Sequence, residues 1–131
     1  MKRNLLSLLV IGCAIMLSSA DMNASDPENP DRELRHVVLF KFKESSTADD
    51  IKKVEDAFAA LPDKISQIKR FEWGTNNSPE GLDKGFTHCF LLTFASEEDR
   101  AIYLPHPDHK AFGAIIGPHL EDVLVVDYWT D

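Results

Sequence analysis

A tyrosine and a histidine in the segment AIYLPHPDHKAFGAIIG have the side chains that acid–base chemistry uses. Tyr103 carries a phenol that can donate a hydrogen bond, and His109 carries an imidazole that can accept a proton near neutral pH. Together they suit proton transfer next to a carbonyl, in which the imidazole takes the proton and the phenol stabilises the developing enolate oxygen. The same two residues also suit a structural corner in which both rings are simply buried.

Two prolines between these residues must set their relative position. Pro105 and Pro107 lack an amide hydrogen and disfavour helical conformation in the preceding residue, so one continuous helix is excluded. The pattern predicts a helix ending near Tyr103, a stiff corner, and a second helix with Pro107 in its first turn. His109 then lies in that first turn, where the positive end of the helix dipole disfavours the imidazolium. His106 is expected to cap the second helix.

The hydrophobic periodicity around this corner predicts four strands and further helices. Alternating patterns predict strands at 36–43, 68–74, 86–94 and 121–129. Apolar residues at helical spacing predict a helix that is capped by Ser46 or Thr47 and stops at Pro62. Ser96 begins the paired helices, which end at Gly117. The resulting order is that of an α+β, ferredoxin-like βαββ(αα)β protomer, an antiparallel sheet with helices on one face.

Three of the predicted strands are apolar on both faces, which is more than their own helices can cover. We therefore expect a homodimer in which two sheets pack about 10 Å apart, the barrel form of this fold. An extra loop or a hydrophobic ligand on the open face is the competing explanation. Aromatic and aliphatic side chains on the other face are expected to wall a small ligand pocket. These residues are Phe40, Phe90, Leu92 and Phe94.

Residues 1–20 have the composition of a secretory signal peptide. A short basic head precedes an apolar run from Leu5 to Leu17, and small residues end at Ala20. The run is too short for a comfortable membrane span. This predicts cleavage after about Ala20 and an exported protein of the periplasm or cell envelope. The alternative is a lipid anchor at Cys13, because Val10–Cys13 resembles a bacterial lipobox.

The sequence after the leader divides into a polar, acidic tether, residues 21–33, and a folded domain, residues 34–131. Cleavage would remove two basic residues and no acidic ones, so the formal net charge changes from −8 to −10. An acidic surface repels phosphate, so nucleic acid is not an expected partner. Only Cys89 remains in the mature chain, which excludes an internal disulfide.

Four stretches together resemble the stress-responsive dimeric α/β-barrel (Dabb) domain. They are His36–Lys43, Gly85–His88, Tyr103-x-x-His106-Pro107-x-His109-x-x-Phe112 and Asp127-Tyr128. The resemblance covers His36 to Trp129 with the elements in order, and the histidine–proline–histidine segment is its most specific part. It implies a ferredoxin-like protomer whose sheet pairs with that of a second copy to form a barrel.

One branch of this family, the plant olivetolic acid cyclase type, closes a linear polyketide by aldol condensation without metal or cofactor. Its tyrosine and histidine fall on Tyr103 and His109, and the resemblance places two further pocket histidines at His36 and His88. The export signal and the acidic tether are departures from that branch.

Three functions are consistent with these residues. The first is a stress-associated binding dimer of the cell envelope, ranked highest because an exported chain has no obvious access to polyketide intermediates made inside cells. The second is a cofactor-free lyase or cyclase acting on a small carbonyl compound, with His109 as base and Tyr103 as hydrogen-bond donor. The third uses His36, His88 and His109 as metal or haem ligands and ranks last, because no HxH or HExxH spacing supports it. We therefore expect no metal and no cofactor.

Overall fold

The structure is a computed structural model and describes residues 29–131. The predicted signal peptide, its lipobox alternative and residues 21–28 of the predicted tether lie outside the described residues. The elements in chain order are β1 (Leu34–Phe42), α1 (Ala48–Ala59), α2 (Leu61–Lys64), β2 (Arg70–Thr75), β3 (His88–Phe94), α3 (Glu97–Tyr103), α4 (Pro107–Ile116), a 3₁₀ turn (Gly117–His119) and β4 (Leu120–Trp129).

The four strands form one antiparallel sheet in the order β2-β3-β1-β4. The helices cover one face of this sheet, because the inward-facing residues of β1 and β3 are buried against them. The predicted α+β, ferredoxin-like order is therefore confirmed. In the β1–β4 register, His36 lies directly opposite Asp127, 91 residues further along the chain. Among residues 29–131, no helix is long and apolar enough to cross a membrane.

Helix starts follow the predicted capping chemistry, whereas one helix end differs from the prediction. Thr47 and Asp50 form a reciprocal capping box at α1, and Ser96 accepts a hydrogen bond from the Asp99 amide at α3. The first helix does not continue to Pro62: α1 ends at Ala59, and Pro62 lies in the first turn of the short helix α2. Proline is tolerated there because the first-turn amides have no partner inside the helix.

The core lies between the helices and β1 and β3, and it is largely aromatic. Phe58 of α1 is 1% exposed. Its ring centroid lies 4.3 Å from that of Phe90, 4.6 Å from that of Phe112, 5.5 Å from that of Phe71 and 5.9 Å from that of Phe40. Rings at these separations contribute attraction beyond the apolar area they bury. Phe58 is thus the hub that joins α1, α4 and three strands.

The other face of the sheet has no helix over it among residues 29–131. From residue 124 to residue 128 of β4, the side chains that point to this open face are largely apolar and each close to half exposed; they are Leu124, Val126 and Tyr128. Val37 and Leu39 continue the same face on β1. A patch of this kind marks an interaction surface in soluble proteins.

Glu33, the last residue of the predicted tether, is bound to the end of the sheet. Its carboxylate pairs with Arg35 and Lys69, each at 2.9 Å, and with Arg70. Its backbone carbonyl accepts a hydrogen bond from the Thr130 amide. The hydrogen bond from Lys69 is the main cause that lowers the pKa of Glu33 to about 2, with Arg35 and Arg70 adding to it against the cost of burial.

This carboxylate predicts a defined acid sensitivity. A carboxylate whose pKa is lower in the folded protein stabilises the fold above its unfolded pKa, and that stability is lost as pH falls through the folded value. The Glu33 contribution should therefore decline between its ordinary pKa of 4.5 and about 2. Glu33→Gln should flatten the fall in the free energy of unfolding over this range, measured by denaturant titration at each pH. Glu80→Gln, at an exposed loop position, is the control; equal slopes in wild type and Glu33→Gln would contradict the assignment.

Candidate functional site

The corner between α3 and α4 is built as its two prolines predict. Helix α3 ends at Tyr103, and α4 begins at Pro107. His106 caps α4, because its Nδ1 accepts a hydrogen bond from the Asp108 amide at 3.2 Å. His109 then falls in the first turn of α4 and faces back toward the end of α3.

Tyr103 and His109 lie side by side. Their ring centroids are 4.3 Å apart at an interplanar angle of 34°. His109 Nδ1–H donates to the Leu104 carbonyl at 2.8 Å. A carbonyl oxygen can only accept, so Nδ1 carries the proton and, in the neutral ring, Nε2 carries the lone pair. Within residues 29–131, His109 Nε2 has no hydrogen-bond partner.

These two side chains lie at the polar end of a hollow between the sheet and the corner, with a volume of about 380 Å³. Its other polar residues are His36 of β1 and Lys110 of α4. The rest of the lining is apolar apart from the backbone at Gly113: Val38, Phe40, Phe58, Leu104, Phe112, Ile116, Val123 and Val125. A cavity of this size with mostly apolar walls and a few convergent polar groups is typical of a small-molecule site.

Tyr103 itself is fully buried, and its environment keeps the phenol protonated. Its ring packs against Phe94 at 5.1 Å and against the edge of His36 at 5.7 Å. Burial raises the pKa of the Tyr103 phenol, and the negative charge of Asp127 raises it further. The hydroxyl is therefore a hydrogen-bond donor throughout the neutral range.

His36 is held by a carboxylate that the sequence did not reveal. His36 Nδ1–H donates to Asp127 Oδ1 at 2.7 Å, and Arg100 Nη1 donates to Asp127 Oδ2 at 2.8 Å. Burial lowers the pKa of His36, and the Asp127 carboxylate opposes that shift. The positive charges of His109, when protonated, and of Arg100 lower it further. The ring at neutral pH is therefore uncharged.

Four residues that the sequence predicts in the pocket lie outside this hollow. Phe90, Leu92 and Phe94 are fully buried: Phe90 packs against Phe58 of α1, and Phe94 packs against Tyr103. His88 lies elsewhere on the helix-covered face: its Nε2 is 2.9 Å from Glu55 Oε1, and its Nδ1 is 2.8 Å from Thr87 Oγ1. Of the predicted lining, only His36 and Phe40 border the hollow beside Tyr103 and His109.

The metal interpretation required His36, His88 and His109 to converge. Within the part of the chain that the structure describes, no group of three or more His, Cys, Asp or Glu side chains is arranged to hold a metal ion. His36 and His109 border the hollow, whereas His88 lies away from it with its Nε2 hydrogen-bonded to Glu55. The three imidazoles are therefore not brought together.

A second hollow, of about 470 Å³, lies on the open face of the sheet beside Leu39, Leu91 and Cys89. Burial raises the pKa of the Cys89 thiol, so the thiol is protonated and a poor nucleophile. This hollow lacks a pair like Tyr103 and His109, and it belongs to the face that remains uncovered in one protomer.

Asp127 and Arg100 were missed as site residues. The sequence points to Asp127 only through the final Asp127-Tyr128 pair, and no local pattern points to Arg100. Their roles depend on the β1–β4 register and on the side of α3 that faces β4, which no local pattern encodes. The available signal was an acidic residue between two apolar ones, Val125 and Trp129, on the inward face of the last strand.

The fold and the hollow together define a ferredoxin-like α+β protein with a polar pair at one end of an apolar cavity. The chain belongs to the Stress responsive A/B Barrel Domain (Dabb) family, whose model matches residues 34–130. It is 39% identical over 95 residues to the stress-response A/B barrel domain-containing protein HS1 of Arabidopsis thaliana, covering 72% of this chain and 87% of that protein.

Two relatives have names that state an activity. Olivetolic acid cyclase of Cannabis sativa is 28% identical over 95 residues, covering 72% of this chain and 94% of that protein. The structure of hydroxynitrile lyase from Passiflora edulis superposes with a TM-score of 0.73 at 26% identity, covering 79% of this chain and 96% of that one. A dimeric ferredoxin-like protein of Thermobifida fusca superposes with a TM-score of 0.65 at 28% identity, covering 81% and 98%. The structural neighbours of this chain thus include dimeric proteins.

Proposed function

We propose that this chain is an exported, stress-associated homodimer that binds a small, largely apolar carbonyl compound in the hollow. The observation that carries the proposal is the arrangement of the lining: apolar walls on most sides, with Tyr103 and His109 together at one end. The protonated phenol donates to a carbonyl oxygen, and the apolar walls receive an alkyl chain or an aromatic ring. The volume lies within the range of about 300–1,000 Å³ that is usual for ligand pockets.

Binding in the hollow is tested by filling it. An added Cβ at Gly113 has no neighbour within 4 Å, so Gly113→Leu extends a side chain into the hollow without forcing the backbone to move. We expect this variant to lose affinity for small ketones and aldehydes, such as acetophenone and hexanal, in calorimetric titrations. Ala114→Leu, at an exposed position of the same helix, is the matched control and should bind normally. Equal affinities of the two variants would place the ligand elsewhere.

A second candidate function, a cofactor-free lyase or cyclase, is favoured by one specific observation. His109 presents an unpartnered Nε2 beside a phenol that stays protonated. In this reaction, Nε2 takes a proton from the carbon next to the carbonyl, the electron pair moves to oxygen, and the Tyr103 hydroxyl donates to that oxygen. The olivetolic acid cyclase and hydroxynitrile lyase relatives support an enzymatic use of this fold. This candidate function is tested by using NMR to monitor the exchange of protons for deuterium at the carbon next to the carbonyl.

Homodimerisation is proposed to use the open face of the sheet. Val126→Asp should raise the dimer dissociation constant by at least about tenfold, because it buries an unpaired charge if the two sheets still meet. Ile102→Asp is the control, since Ile102 is similarly exposed but lies on α3, on the opposite side of the molecule. Light scattering coupled to gel filtration measures the difference. A Val126→Asp protein that stays dimeric while Ile102→Asp dissociates would move the interface to the helical side.

Export and stress association rest on the leader sequence and on the family description. We expect the mature protein to begin near Asp21, as determined by mass spectrometry of the envelope fraction. A lipid-modified product beginning at Cys13 would support the lipoprotein alternative instead. The association with stress predicts higher abundance after heat or oxidative challenge, and constant abundance would contradict it.

A further inference from the structure

The side chains of Arg100, Asp127 and His36 form a continuous bridge from the surface of α3 to the edge of the hollow. Asp127 joins the other two, with Oδ2 accepting from Arg100 and Oδ1 accepting from His36. The exposed fraction of the side chain falls from 25% at Arg100 and 24% at Asp127 to 6% at His36. The bridge therefore links the positive charge of Arg100 near the surface to the buried imidazole of His36 through one carboxylate.

The bridge determines which nitrogen of His36 is available. Since the carboxylate accepts, Nδ1 carries the proton and Nε2 carries the lone pair in the neutral ring. His36 also borders the hollow, with its ring edge against Tyr103. His109 is arranged in the same way, except that its Nδ1–H donates to a backbone carbonyl rather than to a carboxylate. Two imidazoles in the same tautomer thus flank one phenol.

We propose that Asp127, held in place by Arg100, is a positioning residue that makes His36 a second proton acceptor of the hollow. The proton passes from an acidic O–H or C–H of the bound ligand to His36 Nε2, while Nδ1–H stays bonded to Asp127. The positive imidazolium then lies beside the negative carboxylate, which stabilises it in the way a carboxylate stabilises a protonated histidine in hydrolase triads. This inference rests on the proposed ligand site. It adds that the ligand carries a proton-donating group, such as a hydroxyl, in addition to its carbonyl.

The charged and titratable groups that face His36 come from three elements. Asp127 lies on β4, Arg100 and Tyr103 lie on α3, and His109 lies on α4. Removing the carboxylate and removing the guanidinium should shift the His36 titration in opposite directions, because the first stabilises the imidazolium and the second repels it. Opposite shifts of this kind establish that the bridge controls the charge of His36, and the response to a ligand then decides whether the ring accepts a proton.

The test is ring-nitrogen NMR of the full chain. Wild type should show His36 protonated on Nδ1 and unprotonated on Nε2. Asp127→Asn should lower the titration midpoint of His36, and Arg100→Gln should raise it. Glu97→Gln is the control, because Glu97 touches Arg100 only at 3.9 Å and is largely exposed; it should change neither quantity. A proton on Nε2 in the wild type, or unshifted midpoints in both bridge variants, overturns the inference.

A second experiment distinguishes failure of this inference from failure of the proposed function. Saturating the protein with a hydroxyketone probe, hydroxyacetone, should perturb the Nε2 resonance of His36. The Asp127→Asn variant should lower kcat for deuterium exchange about tenfold or more, with KM little changed. If the probe perturbs His109 but leaves His36 unchanged, the role of His36 fails while the ligand site stands. If no ketone binds at all, the proposed function fails. The role of His36 as a second proton acceptor then fails with it, even if its ring is protonated on Nδ1.

Discussion

Replacing His109 with alanine is expected to lower kcat/KM for deuterium exchange next to the carbonyl by about 100- to 10,000-fold, the usual contribution of a positioned base. The physical reason is the position of this imidazole: the His109 ring lies next to the Tyr103 ring, and its orientation is fixed by the Leu104 carbonyl. Exchange is measured by the loss of the proton NMR signals of small ketones and aldehydes in deuterated buffer.

The control for this substitution is His119→Ala. His119 lies in the 3₁₀ turn before β4 and contacts Ser46, away from the hollow, so its loss should leave the exchange rate unchanged. Tyr103→Phe should lower kcat while the probe still binds, because the ring remains and only the hydroxyl is removed. If His109→Ala exchanges protons as fast as wild type, the lyase or cyclase candidate is excluded, and ligand binding remains to be judged on its own.

Replacing Phe58 with alanine should reduce the free energy of unfolding by about 3–5 kcal/mol. Phe58 is 1% exposed and packs against four other phenylalanine rings, so its removal leaves a cavity that the surrounding strands cannot close. Chemical denaturation, followed by tryptophan fluorescence, gives the difference. The same substitution enlarges the hollow, because Phe58 also forms part of its wall.

Leu82→Ala provides the comparison for Phe58→Ala. Leu82 is 65% exposed, so removing its side chain should change the free energy of unfolding by about 0.5 kcal/mol or less. A small effect at Phe58 would mean that the aromatic cluster rearranges to fill the space, and that the core is more plastic than these contacts indicate.

Much of the fold could be predicted because each element carries its own local signal. Alternation in β1 and β3 identified the buried face, and Thr47 and Ser96 identified the helix starts. The break between Tyr103 and Pro107 followed from the chemistry of proline alone. The end of α1 was placed too late, because Leu61 continues the apolar spacing even though it begins a separate short helix.

The candidate site was predicted only where it is local in sequence. Tyr103 and His109 belong to one short segment, so their approach could be expected from the corner between them. The Asp127–His36 pair depends on a register across 91 residues, and Arg100 reaches Asp127 across 27. The expectation that Phe90 and Leu92 line a pocket came from their shared strand face, but a face does not reveal which of its residues α1 covers. The alternating sequence pattern gives the face of the sheet on which a residue lies, but the packing of the helices decides how deeply that residue is buried.

The most direct test of the central claim is an isotope-filtered NOE experiment on the protein saturated with acetophenone. The hollow beside Tyr103 and His109 predicts contacts from the phenyl ring of the probe to Phe40 and Phe112, and from its methyl group to the His109 ring. Contacts confined to the open-face hollow beside Leu91 and Cys89, or no complex with acetophenone or hexanal at millimolar concentrations, would contradict it.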